Sequence, residues 1–142
     1  MLAQLYRVFS FLALAFWASL ASADTQIQGR LEMVIDGDTI VVRGIKIRLN
    51  GLHAPEWNQP GGSEATNWMR ATYGGQRLIC VLNGKRSYDR YIGICYGPRG
   101  DDIAAGLVAA GLGRDCPRYS GGRYRQFETA NSRRFQLPSY CR

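Results

Sequence analysis

Two short segments hold residue types that can do chemistry together. Asp36-Gly37-Asp38-Thr39 stands just before an apolar run, and Arg48-Leu49-Asn50-Gly51-Leu52-His53-Ala54-Pro55-Glu56 follows. Carboxylate oxygens can hold a hard divalent cation or take a proton from water. A guanidinium fork suits a phosphate, which it can meet with two parallel hydrogen bonds. Alone, Asp-Gly-Asp is an ordinary turn sequence. The second segment changes that reading, because an apparent strand carries Arg48 to its end and a Pro-Glu follows. Together the segments place two acids, an arginine and a glutamate at adjacent strand ends.

The elements that must hold them are short. From Gln26 the chain reads as strands. Thr39–Val42, an Arg43-Gly44 turn and Ile45–Leu49 form a hairpin in which Ile45, Ile47 and Leu49 alternate with Lys46 and Arg48. Residues 58–62 read as a loop, and Ser63 as the N-cap of a helix. That helix has Ala65, Trp68, Met69, Thr72 and Tyr73 on one face and ends at Gly74-Gly75. Arg77–Leu82 and Tyr91–Tyr96 form a second strand pair. Asp101-Asp102 caps a short helix that turns Ile103, Leu107 and Val108 inward and stops at Gly111. A further helix is expected over residues 123–134. The order suggests a small α+β, mainly β domain or capped barrel.

Composition bounds the partners. The chain has 142 residues, one domain's worth, with 18 Lys+Arg against 11 Asp+Glu; every cation except Lys46 and Lys85 is arginine. A hydrophobic share of 46% excludes a disordered chain. Residues 1–23 combine one positive charge, an apolar run from Val8 to Leu20 and Ala21-Ser22-Ala23, which reads as a cleaved bacterial secretory signal. The run is short for a membrane span, so no stable membrane association is expected. The expected location is periplasmic or extracellular, with residues 24–142 forming the working domain. Cys80, Cys95, Cys116 and Cys141 lie in that part and suggest two disulfides in one of three pairings; Cys80–Cys95 and Cys116–Cys141 are expected because the first pair flanks a hairpin and the second brackets the last helix. With one histidine and no CxxC, a zinc knuckle is excluded.

From about Gln26 to about Gly113 the chain resembles the staphylococcal-nuclease-like (thermonuclease) family. The resemblance rests on Asp36-Gly37-Asp38-Thr39, on the Arg48–Glu56 segment and on Arg86-Ser87-Tyr88-Asp89-Arg90. It implies a five-stranded OB-fold barrel with about three short helices. It also implies a calcium-dependent phosphodiesterase acting on DNA or RNA. Arg48 then matches a catalytic, phosphate-binding arginine, Glu56 the general base, Asp38 a metal-binding carboxylate and Asp36 an acidic helper. Arg90 matches the second catalytic arginine in the register that leaves Tyr91–Cys95 an unbroken strand; the other register puts Gly93 there.

His53 departs from the pattern, since it stands where the family has another metal-binding aspartate. Imidazole suits transition metals, so Mn, Ni or Zn could replace Ca, and the ring would charge below about pH 6.5. A histidine that binds nothing is the competing reading. The tail from Cys116 holds Arg118, Tyr119, Arg123 and Tyr124 and resembles an exported subgroup, some of whose members carry an exopolysaccharide-biosynthesis label. Interleaved cations and aromatics suit phosphate contacts and base stacking, while the aromatics themselves are expected to pack on the barrel. The expected function is a secreted, monomeric, metal-dependent nuclease. The alternatives are an OB-fold nucleic-acid-binding module without turnover and an accessory protein of exopolysaccharide biosynthesis.

Overall fold

A computed structural model describes residues 24–142; the expected secretory signal lies outside the described residues. The chain runs β1 (Thr25–Asp36), β2 (Thr39–Val42), β3 (Ile45–Leu49), β4 (Leu52–His53), α1 (Gly62–Tyr73), β5 (Arg77–Ser87) and β6 (Arg90–Tyr96). It continues through α2 (Ile103–Ala109), β7 (Arg114–Asp115) and α3 (Pro117–Ser120). Five strands close a barrel in the order β1-β2-β3-β6-β5, and β4 pairs with β7 in a separate ribbon. Closure depends on the long β1, whose first half pairs with β5 and whose second half pairs with β2 across two register shifts. Such irregularities bend a strand enough for one element to serve two neighbours. This is the expected α+β OB-type barrel with three α-helices.

The alternation in β3 does what its pattern requires. Ile47 and Leu49 are buried with Ile40, Val42, Leu78 and Leu107, while Lys46 is exposed and Arg48 stands half-buried outside the barrel wall. The β2–β3 turn has positive φ at both Arg43 and Gly44, the twist a tight hairpin favours. In α1, Ala65, Met69 and Tyr73 are buried against the barrel. The cap differs from expectation. Gly61, in the left-handed region, precedes the helix, and Ser63 Oγ donates to Glu64 instead of capping. Asp102 does cap α2, accepting from the amides of Ala104 and Ala105.

The helix expected over residues 123–134 does not form. Two isolated 3-10 turns, Arg125–Phe127 and Ser132–Arg134, take its place. Side chains there compete for the backbone that a helix needs. Thr129 Oγ1 accepts from the Ser132 amide, Ser132 Oγ donates to the Val108 carbonyl, and Asn131 Nδ2 donates to the Gly111 carbonyl. The tail is thus a strap tied to α2 and the barrel. Its aromatics divide: Tyr124 is buried, whereas Tyr119 and Tyr140 are about half exposed.

Disulfides join Cys80 to Cys95, facing each other across β5 and β6, and Cys116 to Cys141, which fixes the end of the strap beside α3. Two disulfides fit an oxidising, exported compartment. Among the described residues, no helix is long and apolar enough to cross a membrane. Replacing Cys116 and Cys141 together with serine should lower unfolding free energy by about 2–4 kcal/mol. A urea titration of the double variant checks this; an unchanged midpoint would mean the strap is held by its other contacts alone.

Candidate active site

The β1–β2 turn and the ends of β3 and β6 meet at one end of the barrel. Thr39 pairs with Arg48 across β2 and β3, and Arg48 pairs with Ile92 across the parallel β3–β6 contact. Register alone therefore brings Asp38, Arg48 and Arg90 together. Asp38 is buried, and its Oδ2 forms an ion pair with Arg48 Nη2 at 3.1 Å and accepts a hydrogen bond from the Ala54 amide at 3.1 Å. Its Oδ1 accepts from Thr39 Oγ1 at 3.1 Å, and that hydroxyl in turn accepts from Arg90 Nη1 at 3.1 Å. One ion pair and two hydrogen bonds thus link Arg48 through Asp38 and Thr39 to Arg90.

Both guanidiniums are held and keep free donors. Arg48 Nη1 also donates to the Leu49 carbonyl. Arg90 Nε and Nη2 donate to the carbonyl and hydroxyl of Ser87. Each guanidinium carries five N–H groups, so N–H groups remain to meet a ligand. Both arginines line an open cleft of about 590 Å³ with Glu56, Lys85, Tyr119 and Tyr140. The competing register for the second arginine falls on Gly93, which lies buried in the barrel wall against Leu82. No side chain there could reach the cleft.

Glu56 is set by its own loop. Its amide donates to Gln59 Oε1, its carbonyl accepts from the Gln59 amide, and a Cβ at Gly62 would run into that carbonyl oxygen. Gly62 is therefore a positioning residue for Glu56. Burial, then the adjacent Asp36 carboxyl, raise the Glu56 pKa above the usual carboxylate range. Asp38 is pushed up to about 7, by burial first and by Asp36 among the rest, with Arg48 opposing. Asp36 Oδ1 itself accepts from the Asp38 amide.

Asp36 thus crowds both Asp38 and Glu56, and a divalent cation bound there would relieve that crowding. Their oxygens fit a hard cation. They do not form a finished cage, since among the described residues no three of His, Cys, Asp and Glu converge on a ready-made metal site.

His53 lines the neighbouring cleft with Glu56. It pairs with Arg114 in the β4–β7 ribbon, and its Nδ1 is buried without a hydrogen-bond partner. Burial, then Arg48 and Arg114, lower its pKa to about 4. Against the expected onset near pH 6.5, burial and two neighbouring cations favour the neutral ring down to about pH 4.

Sequence reasoning missed three supports: Thr39 as the bridge between the arginines, Ser87 as the holder of Arg90, and Gly62. Thr39 stands in the first motif, but nothing in sequence says which arginine its hydroxyl meets. Ser87 and Gly62 act through turns whose geometry no local pattern records.

The raised Asp38 pKa has a consequence for stability. The folded state holds this proton more tightly than the unfolded chain, whose value is near 3.8. Ionising Asp38 therefore takes stability away as pH rises from about 4 to about 7, and the loss is complete above that. Asp38→Asn should be more stable than wild type at pH 8 in metal-free buffer, with the difference shrinking toward pH 4. Urea midpoints at both pH values test this; a variant that is weaker at pH 8 would show that the Arg48 contact outweighs the crowding.

Comparison with known proteins agrees with this geometry. A family model described as staphylococcal nuclease homologue matches residues 46–133. The match takes in Arg48, His53, Glu56 and Arg90 and begins after Asp36 and Asp38. An uncharacterized endonuclease of Escherichia coli is 34% identical over 89 residues, which is 60% of this chain and 58% of its own length. The succinoglycan biosynthesis protein ExoI of Rhizobium meliloti (strain 1021) is 31% identical over 102 residues, covering 64% of this chain and 53% of its own length. The chain thus spans little more than half the length of these curated relatives. A family model that matches well over half of the chain, on the barrel and arginine cleft just described, settles its membership: this chain belongs to the staphylococcal nuclease homologue family.

Proposed function

We propose that the protein is an exported nuclease that hydrolyses phosphodiester bonds of DNA or RNA in the arginine cleft. The observation that carries this is the linked chain Arg48–Asp38–Thr39–Arg90, an ion pair followed by two hydrogen bonds, which holds two cations at one cleft with Glu56 on its rim. Family membership and the endonuclease name of one relative support the same reading.

In this mechanism Arg48 and Arg90 bind the nonbridging oxygens of the scissile phosphate through their remaining N–H groups. As water adds to phosphorus, negative charge grows on those oxygens, and donors already fixed in place stabilise it without reorganising. Glu56 orients the water and accepts its proton. A carboxyl whose pKa is raised toward neutrality is a better base than an ordinary glutamate, because it holds the proton it takes.

Asp38, with Asp36 beside it, would hold a divalent cation, calcium by family resemblance. When bound, it supplies Lewis-acid polarisation of a phosphate oxygen. His53 has no part in that set: it offers nitrogen to a hard ion and lies under the field of two arginines. An oxygen-only set favours calcium or manganese over zinc or nickel.

Two other readings remain in contention through specific residues. A binding module without turnover would keep the arginines but need no working Glu56. An exopolysaccharide role follows the name of one relative only.

Cleavage of single-stranded DNA by the mature protein, followed in calcium, manganese, zinc and EDTA, tests the proposal. Arg48→Ala should lose about 10²–10³-fold in rate, and Glu56→Gln about 10²–10⁴-fold with unchanged melting. His53→Ala should keep its metal requirement, with half-saturation within about threefold of wild type. Binding of DNA with no metal giving turnover would favour the module. A tenfold rise in half-saturation for His53→Ala would return that histidine to the metal site.

A further inference from the structure

Three clefts of the molecule share walls. The arginine cleft shares Glu56 and Tyr140 with a second cleft of about 770 Å³, floored by His53–Pro60 and roofed by the strap from Arg134 to Tyr140. The second shares Arg134, Phe135, Gln136 and Leu137 with a third of about 610 Å³, which adds Arg114, Arg133 and Arg142. The two outer clefts hold four cations each: Arg48, Lys85, Arg86 and Arg90 in the first, and Arg114, Arg133, Arg134 and Arg142 in the third. Glu56 is the only acidic residue lining any of the three.

The strap that builds the second and third clefts is fixed. Phe135 packs on Gly61, its carbonyl accepts from Arg114 Nη1 at 2.8 Å, and the Cys116–Cys141 disulfide ends the strap beside Tyr140. Tyr140 stands half-exposed at the junction of the first two clefts.

We propose that this track binds a single-stranded polynucleotide. The scissile phosphate would lie on Arg48 and Arg90, a neighbouring base would stack on Tyr140, and later phosphates would lie on Arg133 and Arg134. The proposal rests on the nuclease reading and adds a substrate-length requirement. Charge carries it: of the eight cations lining these adjoining clefts, Arg48 pairs with Asp38 and Arg114 with Glu128, while the other six make no ion pair among the described residues and meet one lining acid, Glu56, a balance that matches a chain with a regularly repeated negative charge. The half-exposed aromatic where the strand must turn past Glu56 favours nucleic acid over an anionic glycan, because every base offers a flat face for stacking. Arg133 and Arg134 are exposed on a 3-10 turn, so they can be changed without disturbing the core.

The test measures binding separately from turnover. Labelled oligothymidylates of three and twelve nucleotides are titrated by fluorescence anisotropy against the Glu56→Gln protein in EDTA, at several salt concentrations. The twelve-mer should bind at least tenfold more tightly than the three-mer. Arg133→Ala with Arg134→Ala, added to that background, should abolish most of this gain and leave three-mer binding unchanged. It should also reduce the slope of log K against log salt for the twelve-mer by about 1.4, the value for two lost contacts to a single strand. Arg134→Glu should do the same if the double variant melts early. Equal binding of the two lengths, or an unaltered twelve-mer affinity in the variants, would overturn the proposal while leaving cleavage of short substrates intact. Failure to bind or cut any oligonucleotide would instead sink the nuclease reading itself. Alginate that binds more tightly than the twelve-mer, and loses that binding in the variants, would overturn the assignment to nucleic acid.

Discussion

The buried carboxylate of Asp38 is the point on which the rest of this end of the molecule hangs. Through two oxygens it ties together the β1–β2 turn, β3, the segment after β4 and, by way of Thr39, β6. None of those segments carries a complete site. Each brings one piece, and the barrel register brings the pieces within reach of one acceptor. A buried ion pair is weak evidence for stability, because desolvation opposes the attraction. Here its value is orientation. Arg48 cannot fold back to solvent while Asp38 and the Leu49 carbonyl hold it, and Arg90 is fixed by Thr39 and Ser87 in the same way.

That arrangement sets the protein's tensions. A carboxyl buried beside another carboxyl is unfavourable when ionised, which is why Asp38 and Glu56 both bind protons more tightly than usual. A cation bound beside Asp36 and Asp38 would relieve the repulsion, so the feature that burdens the metal-free fold is the one that suits the proposed chemistry. His53 shows the opposite logic. Where a carboxylate would add to the crowding, a neutral ring placed near Arg48 and Arg114 adds none.

Much of this was legible in sequence, for identifiable reasons. Period-2 alternation in Ile45–Leu49 fixed which face Arg48 takes, and Asp102 announced the start of α2 by its type. The pairing of Cys80 with Cys95 followed from two strands of one hairpin. What failed was local. The expected helix near the C-terminus counted arginines and aromatics but missed that Thr129, Asn131 and Ser132 bond to backbone, which breaks helix continuity. The Ser63 cap failed because Gly61, one of two adjacent glycines, could take the left-handed conformation first. The site residues were found as motifs, whereas their bridge, Thr39 to Arg90, spans 51 positions and belongs to tertiary structure alone.

The central claim is that Arg48 and Arg90 act as one unit on one phosphate, organised through Asp38 and Thr39. A double-mutant cycle on the single-turnover cleavage rate tests it most directly, using Arg48→Ala, Arg90→Ala and the pair. If both guanidiniums serve the same transition state, each single variant should remove most of the rate and the double variant little more, so the effects fall well short of adding. Additive losses, or an Arg90→Ala protein that cleaves like wild type while Arg48→Ala is inactive, would contradict the account.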